Sequence, residues 1–258
     1  MASEKSSQAD SATGNPSPYC LAPEVILVPV EDGSARVLDL QGQFFALSEV
    51  AAQMLRDTLE LGSDGAVRSV VQRWGVDLPR AKADYETFLA DLLRQGLLVP
   101  AGQPARPPRL RTRLAAALMG VLLRVLPRLQ RTMTGKAVRL LALANLSCRW
   151  LGWAQTVRLW QRVFKPQRPL DGAAAEEARA AIDQAVRQAI TQAALSHACK
   201  ERGLASWALG RCLGLSPRLT IGINLYPLHG HCWAELGTTY LGDDAERCTQ
   251  FQPVRTYE

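Results

Sequence analysis

The sequence lacks the features that mark exported and membrane-spanning proteins. Its first 18 residues are polar and rich in small side chains, unlike the apolar run of an export signal. The six cysteines show no paired spacing, which argues against a disulfide framework. The apolar run that starts at Leu114 has ten uncharged residues before Arg124, too few to cross a bilayer. We therefore expect a cytoplasmic protein with free thiols.

Acidic residues are missing from one part of the chain. Residues 106–168 carry 14 basic side chains and no acidic ones, whereas residues 1–105 carry 8 basic and 14 acidic ones. The apolar stretches of residues 106–168 predict two or three helices that pack on the rest of the chain with their arginines exposed. These cations either form a solvated face or attract a partner protein or an anionic membrane surface, which would be a peripheral contact.

The distribution of proline, glycine and apolar residues predicts how the chain divides. We expect a disordered tail over residues 1–19 and a linker over residues 101–108. Residues 20–100 predict a small winged-helix-like domain of three strands followed by three helices. We expect residues 109–258 to form a second domain. The fold class expected for the whole chain is α+β. A winged helix can bind DNA, but the net charge of −6 over residues 1–105 argues against a nucleic-acid partner.

Three reactive residues occur in a suggestive order near the C-terminus. Apolar residues recur at three- and four-residue steps after Cys199 and predict a helix that ends near Leu213. Cys199 would lie in its first turn, where the helix dipole favours a thiolate. Alternating residues from Leu219 to Leu225 then predict a half-buried strand.

A predicted hairpin brings a histidine and an aspartate together. If Gly237 is the centre of a three-residue turn, His231 faces Asp243, because both lie six residues from that centre. A four-residue turn would place Asp244 there instead. Residues opposed in this way lie about 5 Å apart at Cβ, close enough for a carboxylate to hold an imidazole. Cys199, His231 and an aspartate thus suit thiol catalysis.

Two other histidines compete with His231 as the general base, namely His197 and His229. The group His229, His231 and Cys232, together with Cys199, also suggests a zinc site. However, His231 and Cys232 are adjacent on a strand and point to opposite faces. We therefore expect no metal and no cofactor.

Residues 180–254 resemble the transglutaminase-like cysteine peptidases of lasso-peptide biosynthesis, usually called B proteins. The matching positions are Cys199, Gly214, Arg218–Ile223, His231–Glu235 and Asp243. Lys200 departs from the leucine that the family favours, and Cys232 departs from its alanine. The resemblance implies a leader peptidase with Cys199 as nucleophile, His231 as base and Asp243 as the residue that orients the base. It also implies a partner, an asparagine-synthetase-like cyclase that uses ATP.

The first domain resembles the PqqD-like domains that bind the leader peptides of ribosomally made natural products. The similarity lies in VLDLQGQFFALSEVAAQML and FLADLLRQGLL. It implies that the leader adds as a strand beside the third strand and packs on the third helix. The corresponding residues are Gln43, Phe44, Phe45, Ala46, Ala83, Thr87, Ala90, Asp91 and Arg94. Because neighbouring strand residues point oppositely, we expect one of the two phenylalanines to be in the core.

The two resemblances, together with the order of the reactive residues, imply a cysteine peptidase that binds the leader of a lasso-peptide precursor and removes it before the cyclase acts. Two other functions fit the same residues. The chain could be a leader-binding scaffold without catalysis, or an acyl transferase that passes its thioester to an amine instead of water.

Overall fold

The computed structural model describes residues 17–40, 43–102, 110–165, 167–170, 172–192 and 198–258. The chain divides into two compact units, residues 1–106 and residues 107–258. Most of the predicted tail and most of the predicted linker lie outside the described residues. Tyr19, which the sequence assigned to the tail, instead begins a strand and pairs with Pro100.

The first unit consists of two small sheets and a helical layer. Its elements are β1 (Tyr19–Leu21), β2 (Val25–Pro29), β3 (Ala35–Asp39), β4 (Gln43–Leu47), α1 (Glu49–Trp74), α2 (Leu78–Arg94) and β5 (Leu98–Pro100). Strands β2, β3 and β4 form an antiparallel sheet in that order, and β1 pairs with β5. The three predicted strands are therefore confirmed, and the β1–β5 pair adds a second sheet.

Capping side chains and one glycine determine where the helices of this unit begin and break. Ser48 accepts a hydrogen bond from the backbone N–H of Ala51 and caps α1, and Asp77 caps α2 in the same way. Gly62 has a φ of 74°, a conformation that breaks the helical path inside α1. Two helical pieces in α1 and one in α2 give the three predicted helices.

The second unit packs helices against a four-stranded sheet. Its elements are α3 (Leu110–Val125), α4 (Met133–Leu151), α5 (Trp153–Val163), α6 (Gly172–Gln192), α7 (Cys199–Cys212), β6 (Arg218–Leu225), β7 (Leu228–Leu236), β8 (Thr239–Leu241), α8 (Ala245–Cys248) and β9 (Gln252–Tyr257). The sheet order is β8-β7-β6-β9, with every pair antiparallel. The basic segment forms three helices, α3 to α5. In the described part of the chain, no helix combines the length and hydropathy needed to cross a bilayer.

Helix α7 lies close against strand β7. At Gly203, a Cβ atom would lie 3.0 Å from the backbone oxygen of Cys232 and 3.2 Å from the Cα of Trp233. These are backbone atoms of β7 that no side-chain rotation can move. The missing side chain therefore lets the helix approach the strand, and Cys199 lies one helical turn before Gly203.

Candidate active site

Cys199 is the first residue of α7, and no described side chain caps the turn that it begins. The preceding residue, Ala198, has an extended backbone and no side-chain oxygen to accept from the first amides of the helix. In most helices a Ser, Thr, Asp or Asn accepts one of these N–H donors. The N–H groups and the positive end of the helix dipole therefore face the space around the thiol.

His231 is buried in β7, opposite Gly222 of β6, and its ring is held by aromatic neighbours. Its centroid lies 5.8 Å from the Trp233 ring, which it stacks on, and 5.0 Å from the Phe251 ring. At Gly222 a Cβ atom would lie 2.6 Å from Trp233 and 2.8 Å from Phe251. Gly222 thus makes room for the two rings that fix the imidazole plane.

A network of polar groups fixes the Trp233 ring in turn. Its indole N–H donates to Glu235 Oε2 at 2.7 Å. The other oxygen of Glu235 accepts from the Thr220 hydroxyl at 3.1 Å and pairs with Arg218 at 3.1 Å. Glu235 therefore anchors the tryptophan on which His231 stacks.

Asp243 is the carboxylate that binds His231, but it reaches the ring by a route that the sequence did not predict. Its Oδ2 accepts from His231 Nε2 at 2.9 Å. The predicted three-residue turn is wrong: Leu236 pairs with Thr239 across a two-residue turn. If that pairing continued, Asp244 would face His231. Strand β8 instead ends at Leu241, and Gly242 turns the chain with a φ of 67°.

The loop that carries Asp243 is tied to α6 and to its own neighbours. The Gly242 N–H donates to the Asp183 carboxylate, and Arg187 donates to the Asp243 backbone oxygen at 3.5 Å. Asp243 Oδ1 accepts from the Asp244 N–H at 2.9 Å. The Asp244 side chain accepts from the N–H of the second residue of α8 and caps that helix.

The two nitrogens of His231 have different surroundings. Nε2 is bound to Asp243, whereas Nδ1 is buried and meets no partner at conventional hydrogen-bond geometry among the described residues. The Cys199 thiol interacts with the same ring. With the proton of Nε2 directed at Asp243, Nδ1 is the nitrogen that can exchange a proton with sulfur.

The electrostatics favour an ion pair between Cys199 and His231. Burial opposes the charged imidazolium, but the hydrogen bond to Asp243, the nearby thiols of Cys199 and Cys248 and the charge of Asp243 raise the pKa of His231 to about 10. Burial also opposes the thiolate, but the hydrogen bond and charge of His231, the Cys232 backbone and Lys200 together lower the pKa of Cys199. For Asp243, His231, the Asp244 amide and Arg202 outweigh burial and lower the pKa. A thiolate beside an imidazolium is the reactive form of such a site.

Lys200 adds a positive charge next to the thiol. Its ammonium group lies 5.8 Å from the centroid of the Trp153 ring, which is buried. The indole N–H of Trp153 donates to the Tyr257 hydroxyl at 3.1 Å. The ammonium group of Lys200 therefore lies over a ring whose position is fixed by a hydrogen bond. The family that this part of the chain resembles favours an uncharged leucine at the position of Lys200.

Cys248 is a further thiol at this site. It is buried in α8, and its interaction with the imidazole contributes to the raised pKa of His231. His231, Asp243 and Cys248 offer three ligand atoms within 4.8 Å of one another. A divalent ion bound there would take up His231 and Asp243, so its binding would compete with the Cys–His–Asp arrangement.

The competing histidines do not share this setting. The His229 ring is exposed, interacts with the Pro227 backbone oxygen through Nδ1 at 2.9 Å, and packs edge-on against Phe251. His197 lies outside the described residues. Within the described part of the chain, the structure thus brings Cys199, His231 and Asp243 together.

Comparison with known families gives one match inside each of the two compact units. Residues 139–256 match the model of the transglutaminase-like superfamily, and residues 24–98 match that of coenzyme PQQ synthesis protein D, PqqD. The chain joins a PqqD domain to a transglutaminase-like domain. This combination matches the fused form of the lasso-peptide B proteins. No curated protein and no solved structure gives a significant match.

The PqqD domain presents an open sheet edge at the predicted leader-binding strand. Strand β4 is the last strand of its sheet, and its outer edge has no paired strand among the described residues. Gln43 and Ala46 are exposed on it. Phe45 packs against the core cluster that contains Val37, whereas Phe44 is half-buried outside that cluster. One phenylalanine is thus in the core, as predicted.

The predicted helix residues lie along one side of α2. Ala83, Thr87, Ala90 and Arg94 are exposed, and Asp91 is half-buried. Asp91 pairs with Arg94 at 2.7 Å. The opposite side of α2 supplies Leu92 to the same core cluster as Phe45. Strand β4 and helix α2 therefore share a core, and each leaves its outer surface open.

Sequence reasoning did not find Gly203, Phe251 or Cys248 as parts of the site. Gly203 could have been suspected, because it lies four residues after Cys199 and so on the same helix face. The other two lie on segments with no reactive pattern of their own.

Proposed function

We propose that this protein is a cysteine peptidase that binds the leader of a lasso-peptide precursor and cleaves it from the core peptide. One observation carries the proposal: a Cys199–His231–Asp243 constellation with a lowered thiol pKa lies in the same chain as a PqqD domain. The first feature supplies a nucleophile, and the second supplies a means of selecting a peptide.

In the proposed reaction, the Cys199 thiolate attacks the carbonyl carbon of the bond between leader and core. Uncapped amides of the first α7 turn stabilise the oxyanion. The His231 imidazolium gives its proton to the leaving nitrogen, so the core peptide departs with a free amino group. His231 then takes a proton from water, which attacks the thioester and releases the leader as a carboxylate. Asp243 holds the imidazole throughout.

Leader capture is assigned to the open edge of β4 and the outer side of α2. An added peptide strand would satisfy the exposed backbone groups of β4, and α2 would receive its side chains. Capture by the PqqD domain makes the cleavage step effectively intramolecular, with local peptide concentrations that reach about millimolar for short flexible links. The cleavage site then needs little affinity of its own.

The free amine of the core peptide points to the next enzyme. Ring closure needs a carboxylate activated on another residue of the core, which fits an ATP-using, asparagine-synthetase-like cyclase as the partner. We place both enzymes in the cytoplasm, where thiols stay reduced.

Two other functions use the same parts. A leader-binding scaffold would need no activated thiol, so the ion pair between Cys199 and His231 favours an enzyme. An acyl transferase would share the thioester and differ only in its acceptor, an amine instead of water.

Mass spectrometry of a cognate precursor after incubation with the protein tests the proposal. We expect free leader and free core from the wild type, and neither from Cys199→Ala, while fluorescence anisotropy shows that this variant still binds leader. Cys212→Ala is the matched control, because it removes a thiol from the other end of α7. Cleavage by Cys199→Ala would contradict the mechanism, and a leader joined to an amine would indicate an acyl transferase.

A further inference from the structure

The outward side of α3 is apolar, which is the reverse of an ordinary surface helix. Five residues at steps of four, four, three and four form what we call the α3 stripe. They are Leu110 (70% exposed), Leu114 (63%), Leu118 (51%), Val121 (54%) and Val125 (46%). The buried side of the helix holds Met119, Gly120 and Leu123. A surface helix usually turns its apolar residues to the core and its polar ones to water.

The charged residues beside the α3 stripe all carry the same sign. Arg111 and Arg113 lie near the start of α3, Arg124 lies in its last turn, and Arg128 follows. Residues 106–168 contain no aspartate or glutamate. Any surface that covers the stripe must therefore accept aliphatic side chains at its centre and cations at its rim.

A cationic cavity lies at the C-terminal end of the same helix. It measures about 140 Å³ and is lined by Arg124, Arg128 and Lys165, together with apolar residues and Gln167. The Arg124 guanidinium donates to the Gly120 backbone oxygen at 3.2 Å. In the described part of the chain, none of the three cations forms an ion pair with a carboxylate. The cavity therefore has the charge and donors to hold a phosphate group.

We propose that α3 lies on the surface of a membrane that contains anionic phospholipids. The α3 stripe enters the boundary between headgroups and acyl chains, the arginines beside it meet the headgroups, and the cavity receives one phosphate. At 16 residues α3 is about 24 Å long, shorter than the ~30 Å hydrocarbon core, which suits a helix lying in the plane. This contact does not depend on the proposed peptidase activity.

Membrane fits this surface better than a protein does. The α3 stripe contains only leucine and valine, whereas protein interfaces are enriched in aromatic residues and methionine at their centres. Four arginines around an aliphatic stripe match a continuous layer of anionic headgroups without requiring a matching set of carboxylates on one partner.

Co-sedimentation of the full-length protein with vesicles tests the proposal. We expect binding to vesicles of phosphatidylglycerol and phosphatidylcholine at low salt, and much weaker binding to vesicles of phosphatidylcholine alone. Leu114→Glu and Leu118→Glu should each reduce partitioning roughly tenfold or more, because a buried leucine becomes a carboxylate facing anionic lipid. Leu78→Glu is the matched control, since Leu78 is also exposed but lies on α2.

The cavity is tested by a second set of variants. Arg128→Gln with Lys165→Gln should weaken binding to phosphatidylglycerol vesicles and flatten its dependence on salt. Inorganic phosphate should release more protein from the vesicles than chloride does at the same ionic strength, because it competes with the headgroup phosphate for the cavity. Equal release by the two salts, or unchanged vesicle binding of the double variant, would overturn the headgroup assignment.

Other outcomes would overturn the membrane proposal itself. No vesicle binding at low salt would leave a protein as the occupant of the α3 stripe. A wild-type dimer that Leu114→Glu converts to a monomer, without vesicle binding, would identify a second copy. Leader cleavage and thermal melting of Leu114→Glu should match the wild type, so a failure here is separate from a failure of the peptidase proposal.

Discussion

Replacing Gly203 with alanine tests how closely α7 must approach β7 for the site to work. Helix propensity alone predicts that this change stabilises α7 by about 1 kcal/mol. The structure predicts the opposite, because the new Cβ would lie 3.0 Å from the Cys232 backbone oxygen and 3.2 Å from the Trp233 Cα. To relieve these two close contacts, α7 would have to move away from β7.

The size of the effect follows from these distances. Ordinary contacts begin at 3.4 Å, so the helix must move by about 0.4 Å or distort. Overpacking of this kind costs about 1–3 kcal/mol, which leaves a net loss of stability of roughly 0–2 kcal/mol after the gain in propensity. A misplacement of about 1 Å lowers catalysis roughly 100-fold, so we expect a five- to tenfold loss in the reactivity of Cys199.

The assay compares Gly203→Ala with Gly120→Ala, a second helical glycine. A Cβ at Gly120 would make ordinary contacts, 3.5 Å from Arg124 and 3.6 Å from Leu159. Gly120→Ala should therefore raise the free energy of unfolding by about 0.5–1 kcal/mol, and this variant should melt at a higher temperature than the wild type. Alkylation of Cys199 by iodoacetamide, followed by peptide mass spectrometry, gives the reactivity. If both variants gain stability and both are alkylated at the wild-type rate, the close-approach argument is wrong.

Three further predictions concern the site and the leader surface. Asp243→Asn should lower the pKa of His231 from about 10. Because cleavage uses the imidazolium, the loss of cleavage at alkaline pH should then begin at a lower pH. Asp244→Asn should leave the pH profile of cleavage unchanged. Lys200→Leu should raise the pKa of the adjacent thiol and shift its alkylation profile to higher pH, and Lys200→Arg should restore it. Phe44→Ala should weaken leader binding in anisotropy without changing the melting temperature. Phe45→Ala should lower the free energy of unfolding by roughly 2 kcal/mol, since that ring packs on the core.

Patterns carried by neighbouring residues predicted most of the fold. Helices α6 and α7, strands β6 and β7 and strands β2, β3 and β4 of the PqqD domain all follow local periodicity, caps and turns. The split of α1 at Gly62 was also predictable, because separate apolar stripes occur on its two sides. These features depend on short stretches of chain, which is the range over which such patterns act.

The hairpin shows where this reasoning fails. Asp243 binds His231, but the register from which its position was predicted is wrong, since the observed pairing points to Asp244. The end of β8 at Leu241 and the turn at Gly242 determine which aspartate reaches His231. That turn is fixed by a hydrogen bond to Asp183 on α6. A contact across 59 residues leaves no mark on local periodicity.

The arrangement of Cys199 on a helix and His231 on a strand makes thiol activation a product of folding. In an unfolded or partly folded chain, nothing holds an imidazolium beside the sulfur, and the cysteine has the modest reactivity of a free thiol. Under the proposed mechanism, newly made or damaged chains would therefore not cleave other peptides. The rate of alkylation of one cysteine also becomes a direct measure of how much of the protein has α7 docked on its sheet.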